Sequence, residues 1–260
     1  MRAPLAKRWR PVNLRPLGIT AMKYIYGPVK SRRLGLSLGV SLSSEKICNL
    51  DCVYCQWGSI GRTVEKRKPY APCQDIMQEL AAWFAAHPVK AKELEFVTIS
   101  GLGEPTLNTC VQELIQAVKN TTNLKIAVIT NSTLMSDPQV RKELLKADLI
   151  IPSLDAVEPE VFKQINRPHL SLRINPIIDG LIALRQEFPG QIWLEIMLVA
   201  GVNDAPQHIA ALKTIIESIK PDRIQLNSPV RSTAEKDVRP LEKARLEEIR
   251  KILGDKAEII

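Results

Sequence analysis

No run of apolar residues in these 260 positions approaches the roughly 20 residues needed to cross a bilayer. That excludes an integral membrane protein built on spanning helices. The first 21 residues contain no acid and lack the apolar centre of a secretory signal. No repeat, low-complexity tract or linker divides the chain, which argues against a solenoid or a string of modules. Cysteine is scarce at five, and three of the five fall within eight residues, which is not the pattern of a disulfide framework. Thiols used in this way point to a reducing compartment, and we expect a cytoplasmic protein.

What is present is ordinary for an α/β globular protein: 45% apolar and 25% charged residues. The net charge of +8 is unevenly spread, because Arg2, Lys7, Arg8, Arg10 and Arg15 put +5 of it before residue 22. Residues 1–21 therefore read as a basic leader, expected to be disordered, or as an arm for RNA with Trp9 among its cations. The compact sequence begins at Met22, and 22–260 is expected to form one domain.

Strand-like segments fall at Leu38–Ser43, Glu95–Ser100, Lys125–Thr130, Leu149–Leu154, Trp193–Val199 and Arg223–Leu226. Their nearly uniform apolarity suggests parallel strands covered on both faces. Helix-like segments lie between and after them at Gln74–Ala86, Cys110–Lys119, Asp137–Lys146, Ile177–Phe188, Pro206–Ile219 and Leu241–Leu253. Pro206 and Pro240 suit first turns, and Gly254 suits a stop. Six β-α units, with a short strand possible at Ala257–Ile260, predict a partial, laterally open (β/α)6 barrel of the TIM type, with parallel strands. A doubly wound open sheet is the alternative.

The three clustered cysteines are Cys48, Cys52 and Cys55, spaced C-x3-C-x2-C. Three thiolates from one loop suit a [4Fe–4S] cluster with one iron left open for substrate chemistry. A zinc knuckle completed by Cys73 or His87, or three unrelated buried thiols, are the plainer readings. Beyond the carboxyl ends of the six strands come the cysteines, Ser100–Pro105, Thr130–Ser132, Ser153–Asp155, Gly201–Asp204 and Gln225–Ser228. Sites of parallel α/β folds form at that end, so together these tails describe one polar mouth.

The cysteine spacing, with Tyr54 before the last thiol, resembles the signature of the radical S-adenosylmethionine (radical SAM) superfamily. Gly101-Leu102-Gly103-Glu104-Pro105 resembles its glycine–glutamate–proline element, whose backbone receives the methionine end of S-adenosylmethionine. The resemblance implies cofactor contacts from Tyr54, Gly101, Gly103 and Glu104. It implies further contacts from Asn131, Ser132, Ser153 and Asp155, and from Val199 and Gly201 beside the adenine. It also implies reductive cleavage of S-adenosylmethionine to a 5′-deoxyadenosyl radical that abstracts hydrogen, with a flavodoxin or ferredoxin as electron donor.

Tyr26–Val29, Ser31–Gly35 and Ile165–His169 look like segments of a small single-cluster group loosely resembling the wyosine (tRNA base) synthases. That likeness implies a tRNA base as substrate. Protein modification by a glycyl-radical-enzyme activase, or a non-catalytic iron–sulfur or zinc protein, are the alternatives. True wyosine synthases carry further cysteines upstream, and no cysteine precedes Cys48 here.

Arg167, His169 and Arg231 are the candidate substrate contacts. Arg32 and Arg33 read either as solvated surface or as anion ligands. Arg62, Lys66, Arg67 and Lys68 read as a solvated loop, or as a docking patch for an acidic reductase or for RNA. Cys73 and Cys110 read as small core residues, and His87 and His208 as cap or surface residues.

Overall fold

The computed structural model describes residues 22–230 and 233–260. The leader and Arg231 therefore lie outside the described residues. An eight-stranded sheet in strict sequence order forms the frame: β1 (Ile25–Ser31), β2 (Gly35–Ser41), β3 (Phe96–Ser100), β4 (Lys125–Thr130), β5 (Leu149–Pro152), β6 (Gln191–Met197), β7 (Arg223–Asn227) and β8 (Ala257–Ile259). β2 to β8 are parallel. β1 is antiparallel to β2, so the sheet is a laterally open barrel with β1 and β8 at its edges.

The crossover helices are α1 (Cys73–Ala86), α2 (Pro88–Ala91), α3 (Val111–Thr121), α4 (Pro138–Leu144), α5 (Pro159–Asn166), α6 (Ile174–Glu187), α7 (Pro206–Ile219) and α8 (Lys243–Leu253). Among the described residues, no helix is long and apolar enough to cross a membrane.

The strands obey a period of two rather than uniform apolarity. Leu38 and Val40, Val97 and Ile99, Ile126 and Val128, Leu194 and Ile196, and Ile224 and Leu226 all join the core beneath the helices. Burying each such side chain contributes ~1.5–3 kcal/mol before the entropy of ordering is set against it. The alternate positions face the barrel interior. There, Leu34, Ala127, Leu149, Ile151 and Trp193 form a separate apolar plug. Glu195, Gln225 and Asn227, at the alternate positions of β6 and β7, are joined through side chains to one another or to Arg33.

Two elements were not foreseen, and one expectation needs correction. β1 contains Pro28 and a register break between Tyr26 and Val29, which hide a strand from a pattern of alternation. α5 is short, starting at Pro159 and ending on Arg167 in the left-handed conformation (φ 44°). Pro240 lies outside a helix, pairing with Val199 in an isolated bridge before α8 begins. Pro206 does occupy the first turn of α7, and Gly254 caps α8 at φ 93°.

Candidate active site

Residues 42–72 connect β2 to α1 and carry the three cysteines. The loop is braced on two sides. Toward β3, the Glu104 amide donates to the Ile47 carbonyl at 2.8 Å, and the Ile47 amide donates to the Leu102 carbonyl. Toward α5, the Asp51 amide donates to the Asn166 carbonyl (3.0 Å), Val53 to Ile165 (2.9 Å) and His169 to Asn49 (2.9 Å). Within the loop, the Cys55 amide donates to Cys52 and the Val64 amide to Cys48.

The three thiols are free and half-buried. Amide donors point at two of them: Asn131 Nδ2 lies 3.5 Å from Cys48 Sγ, and Asn166 Nδ2 lies 3.4 Å from Cys52 Sγ. Burial pushes the Cys48 thiol up to about 12 and the Cys52 thiol higher still, so thiolates there need a cation against them. A tetrahedral zinc ion would require sulfurs about 3.8 Å apart, from bonds of ~2.3 Å. Among the described residues, the ligand atoms that gather within 4.8 Å of one another are those of Cys73, Cys110 and Glu113, not the loop thiols. The sulfurs of Cys48, Cys52 and Cys55 do not all lie within 4.8 Å of one another, wider than one tetrahedral zinc ion would hold them.

After β3 the chain turns through Gly101 (φ 112°) and Gly103 (φ 102°), a region that L side chains rarely adopt. A Cβ at Gly103 would collide with the Ile47 carbonyl, so glycine permits the close approach of this turn to the cysteine loop. Glu104 is buried and its carboxylate is fully engaged. Oε1 accepts from the Thr106 amide (2.9 Å), the Thr106 hydroxyl (2.6 Å) and the Thr130 hydroxyl (2.7 Å), while Oε2 accepts from the Asn131 amide (2.6 Å). Burial raises its pKa and these donors oppose the rise. The side chain thus clamps the β3 turn to the end of β4, and a cofactor would meet its backbone.

The other strand ends divide by what they touch. Asn131 Nδ2 donates to Asn49 Oδ1 at 2.9 Å, binding the end of β4 to the cysteine loop. Ser132 is fully buried at φ 69°, and its hydroxyl donates to the Ser153 carbonyl at 2.7 Å. Asp155 is buried and accepts from Tyr54 (2.5 Å), Asn166 (2.7 Å) and the Met197 amide (2.8 Å). Burial raises its pKa, against those hydrogen bonds. Val199 is buried and donates its amide to Asn203, and Gly201 turns at φ 75° on Asp204.

One cavity of about 670 Å3 connects these parts. Of the residues expected around the cofactor, Tyr54, Gly101, Gly103, Glu104, Asn131 and Ser153 line it, as does Cys55. Ser132, Asp155, Val199 and Gly201 lie outside its lining. Such a volume, lined by mixed polar and apolar groups at the carboxyl ends of the strands, suits a nucleoside-sized ligand.

Ser100, Thr130, Asn227 and Ser228 from the predicted strand-end tails also line the cavity, as do Arg32 and Arg33, whereas the place of Glu195 was not foreseen. Arg33, in the turn before β2, reaches side chains of β6 and β7. Its Nη1 meets Glu195 Oε2 at 2.6 Å and Gln225 Oε1 at 3.2 Å, and Asn227 Nδ2 donates to Glu195 Oε1. A lone carboxylate in the otherwise apolar run of β6 was the available signal. Tyr26 and the half-exposed Trp57 also line the cavity, with Lys23 and Arg32.

Arg167 pairs with Glu235 at 2.5 Å, and His169 contacts Ser171 and the cysteine loop. Both lie outside the cavity lining. In the basic stretch after the cysteines, Arg67 is spoken for by Glu143 and the Thr106 carbonyl, whereas Arg62, Lys66 and Lys68 are exposed. His208 is buried against Glu158, not a surface residue, and His87 stacks on Trp83 as a half-buried cap. Cys73 and Cys110 are joined in a disulfide rather than packed as separate thiols, with Cα atoms 5.4 Å apart.

Comparisons with known proteins show the family and the fold. The family model described as the Radical SAM superfamily matches residues 43–212. A UPF0026 protein of Methanocaldococcus jannaschii is 33% identical over 92% of this chain and 73% of its own length. A protein of Brachyspira hyodysenteriae named GTPase Obg is 35% identical over 88% of this chain, which spans 33% of that protein's length. A radical SAM methyltransferase from Sphaerobacter thermophilus shares the fold at 17% identity, with a TM-score of 0.68 over 86% of this chain and 65% of that one. The chain belongs to the radical SAM superfamily and is an enzyme that uses a [4Fe–4S] cluster and S-adenosylmethionine.

Proposed function

We propose that Cys48, Cys52 and Cys55 hold the cluster and that the cavity takes S-adenosylmethionine, with an RNA base, in tRNA, as the substrate that follows it in. The observation that carries the cofactor reading is that Cys55, one of three free thiols on one loop, lines a cavity walled by the Gly101–Glu104 turn, Asn131 and Ser153. When bound, the two cofactors supply reductive cleavage of the sulfonium to methionine and a 5′-deoxyadenosyl radical for hydrogen abstraction.

The protein's part is placement. Gly101 and Gly103 let backbone approach the methionine end, and Asn131 and Ser153 offer polar side chains to the ribose side. Arg62, Lys66 and Lys68, exposed on the stretch after the third cysteine, offer positive charge suited to an acidic flavodoxin or ferredoxin.

The RNA reading rests on the cavity's mouth. Its unpaired charges among the described residues are the cations Lys23 and Arg32, since Glu195 is matched by Arg33 and Glu104 is consumed internally. Trp57 and Tyr26 add exposed aromatic faces on which a splayed base can stack.

Reduced, cluster-loaded enzyme should be incubated anaerobically with S-adenosylmethionine and unmodified tRNA, and the digested nucleosides weighed by mass spectrometry. A new nucleoside mass that depends on both cofactors is expected. Unaltered nucleosides, with cofactor cleavage no faster than without RNA, would refute the RNA substrate.

A further inference from the structure

The Cys73–Cys110 pair is not used by the chemistry above, yet it stands where the two cofactor loops enter their helices. Cys73 opens α1 directly after the cysteine loop, and Cys110 caps α3 directly after the glycine turn. Those loops are already laced together: the Lys68 amide donates to the Leu107 carbonyl, Arg67 Nε to the Thr106 carbonyl, and Asn108 Nδ2 to the Leu42 carbonyl. The disulfide adds a covalent staple to this seam.

We infer that Cys73 and Cys110 form a reversible dithiol–disulfide couple, a redox site of its own beside the cluster loop. Three observations carry it. The Cα separation of 5.4 Å lies within the range a disulfide accepts without backbone movement. Access is unequal, because Cys73 is only partly buried and Cys110 is 4% exposed. Both residues sit at helix amino termini, where a departing thiolate is stabilised.

A thiolate of a dithiol reductant of the thioredoxin class attacks Cys73 Sγ, the reachable sulfur. The S–S bond breaks, a mixed disulfide forms at Cys73, and Cys110 leaves as a thiolate at the start of α3 and takes up a proton. The reductant's second thiol then displaces Cys73 and departs with its own disulfide, so two electrons and two protons pass to the enzyme. Because the hydrogen bonds of the seam persist, opening the couple loosens the two loops without releasing them.

The test uses the full chain, loaded with its cluster, in glutathione buffers ranging from fully reduced to fully oxidised. Trapping with N-ethylmaleimide and peptide mass mapping should show one two-electron transition linking the Cys73 and Cys110 peptides. Iron content should stay constant across it, and Tm should be roughly 5–10 °C lower on the reduced side. The C73S/C110S variant should keep wild-type iron and show the reduced-form Tm in every buffer.

Both cysteines alkylated as free thiols in all buffers would overturn the inference. So would a disulfide that stays closed in excess reductant. Stoichiometric zinc in the wild type that vanishes in C73S/C110S would overturn it in favour of a metal site completed by Glu113, whose carboxylate lies within 4.8 Å of both sulfurs. Should the double variant fail to fold, the titration of the wild type decides alone.

Discussion

The hydroxyl of Tyr54 donates to Oδ2 of Asp155 at 2.5 Å, so a single hydrogen bond joins the cysteine loop to the end of β5. Asn166 shares the same oxygen at 2.7 Å and also points at Cys52 Sγ. The aromatic residue before the third cysteine is thus tied, through one buried carboxylate, to the second cysteine's own donor.

Asp155→Asn should therefore loosen the cluster more than Tyr54→Phe. The amide would turn a donor toward one of three donors, leaving a buried polar group unmatched at about 1–3 kcal/mol. Tyr54→Phe removes one donor and leaves Asp155 two partners. Iron release to a chelator, followed spectroscopically, should be faster in both variants and fastest in Asp155→Asn. Equal release in Asp155→Asn and wild type would show that this tie does not hold the loop.

Glu104 gives a prediction with a pH sign. Burial raises its pKa in the fold, so near its titration the native state binds more protons than the unfolded chain. Stability contributed by this group therefore falls as pH rises from the ordinary glutamate range through the raised native value, then levels off. Asp155, also raised by burial, adds a dependence of the same sign. Glu104→Gln should flatten its share of that slope. At neutral pH it should also cost about 1–3 kcal/mol, because four donors converge on a group that then carries an NH2. Urea unfolding at several pH values measures both effects.

Arg33→Ala strands Glu195 inside the barrel. Breaking a buried pair costs ~3–5 kcal/mol. Here the side chains are 17% and 12% exposed, so about 2–3 kcal/mol is expected. Adding Glu195→Gln to Arg33→Ala should recover much of that loss. A double variant no more stable than Arg33→Ala would show that charge pairing is not what matters at this floor.

The parallel strands and their helices were legible because their outward faces are strongly apolar, and the six predicted strands overlap β2 to β7. The cysteine loop and the glycine turn were legible because their spacing is local. What stayed hidden is set by partners far apart in sequence. Arg33 meets Glu195 and Gln225 across 162 and 192 residues, and no local pattern encodes such a pair. The hydrogen-bond partners of Glu104 and Asp155 stayed hidden for a related reason: a polar residue at a strand end can face the mouth or lock its neighbours. Burial decides between them, and the sequence does not show it. Cys73 and Cys110 likewise meet only when α1 and α3 pack side by side.

Gly103→Ala should act on both cofactors together. A Cβ there would press on the Ile47 carbonyl in the cysteine loop, and φ 102° disfavours any L side chain. Reduced iron content and weakened S-adenosylmethionine binding should appear together in one titration of the reconstituted variant. Loss of cofactor affinity with full iron would mean that the glycine turn and the cysteine loop are less tightly coupled than their hydrogen bonds indicate.

The central claim is that Cys48, Cys52 and Cys55 arm the cavity for cleavage of S-adenosylmethionine. The direct measurement is 5′-deoxyadenosine formed by anaerobically reduced enzyme, wild type against each cysteine changed singly to Ala. Wild type should form it, while Cys48→Ala, Cys52→Ala and Cys55→Ala should each lose iron and product. C73S/C110S should retain both. A wild-type enzyme with a full, reducible cluster that forms no 5′-deoxyadenosine, or product from any of the three Ala variants, would contradict the account.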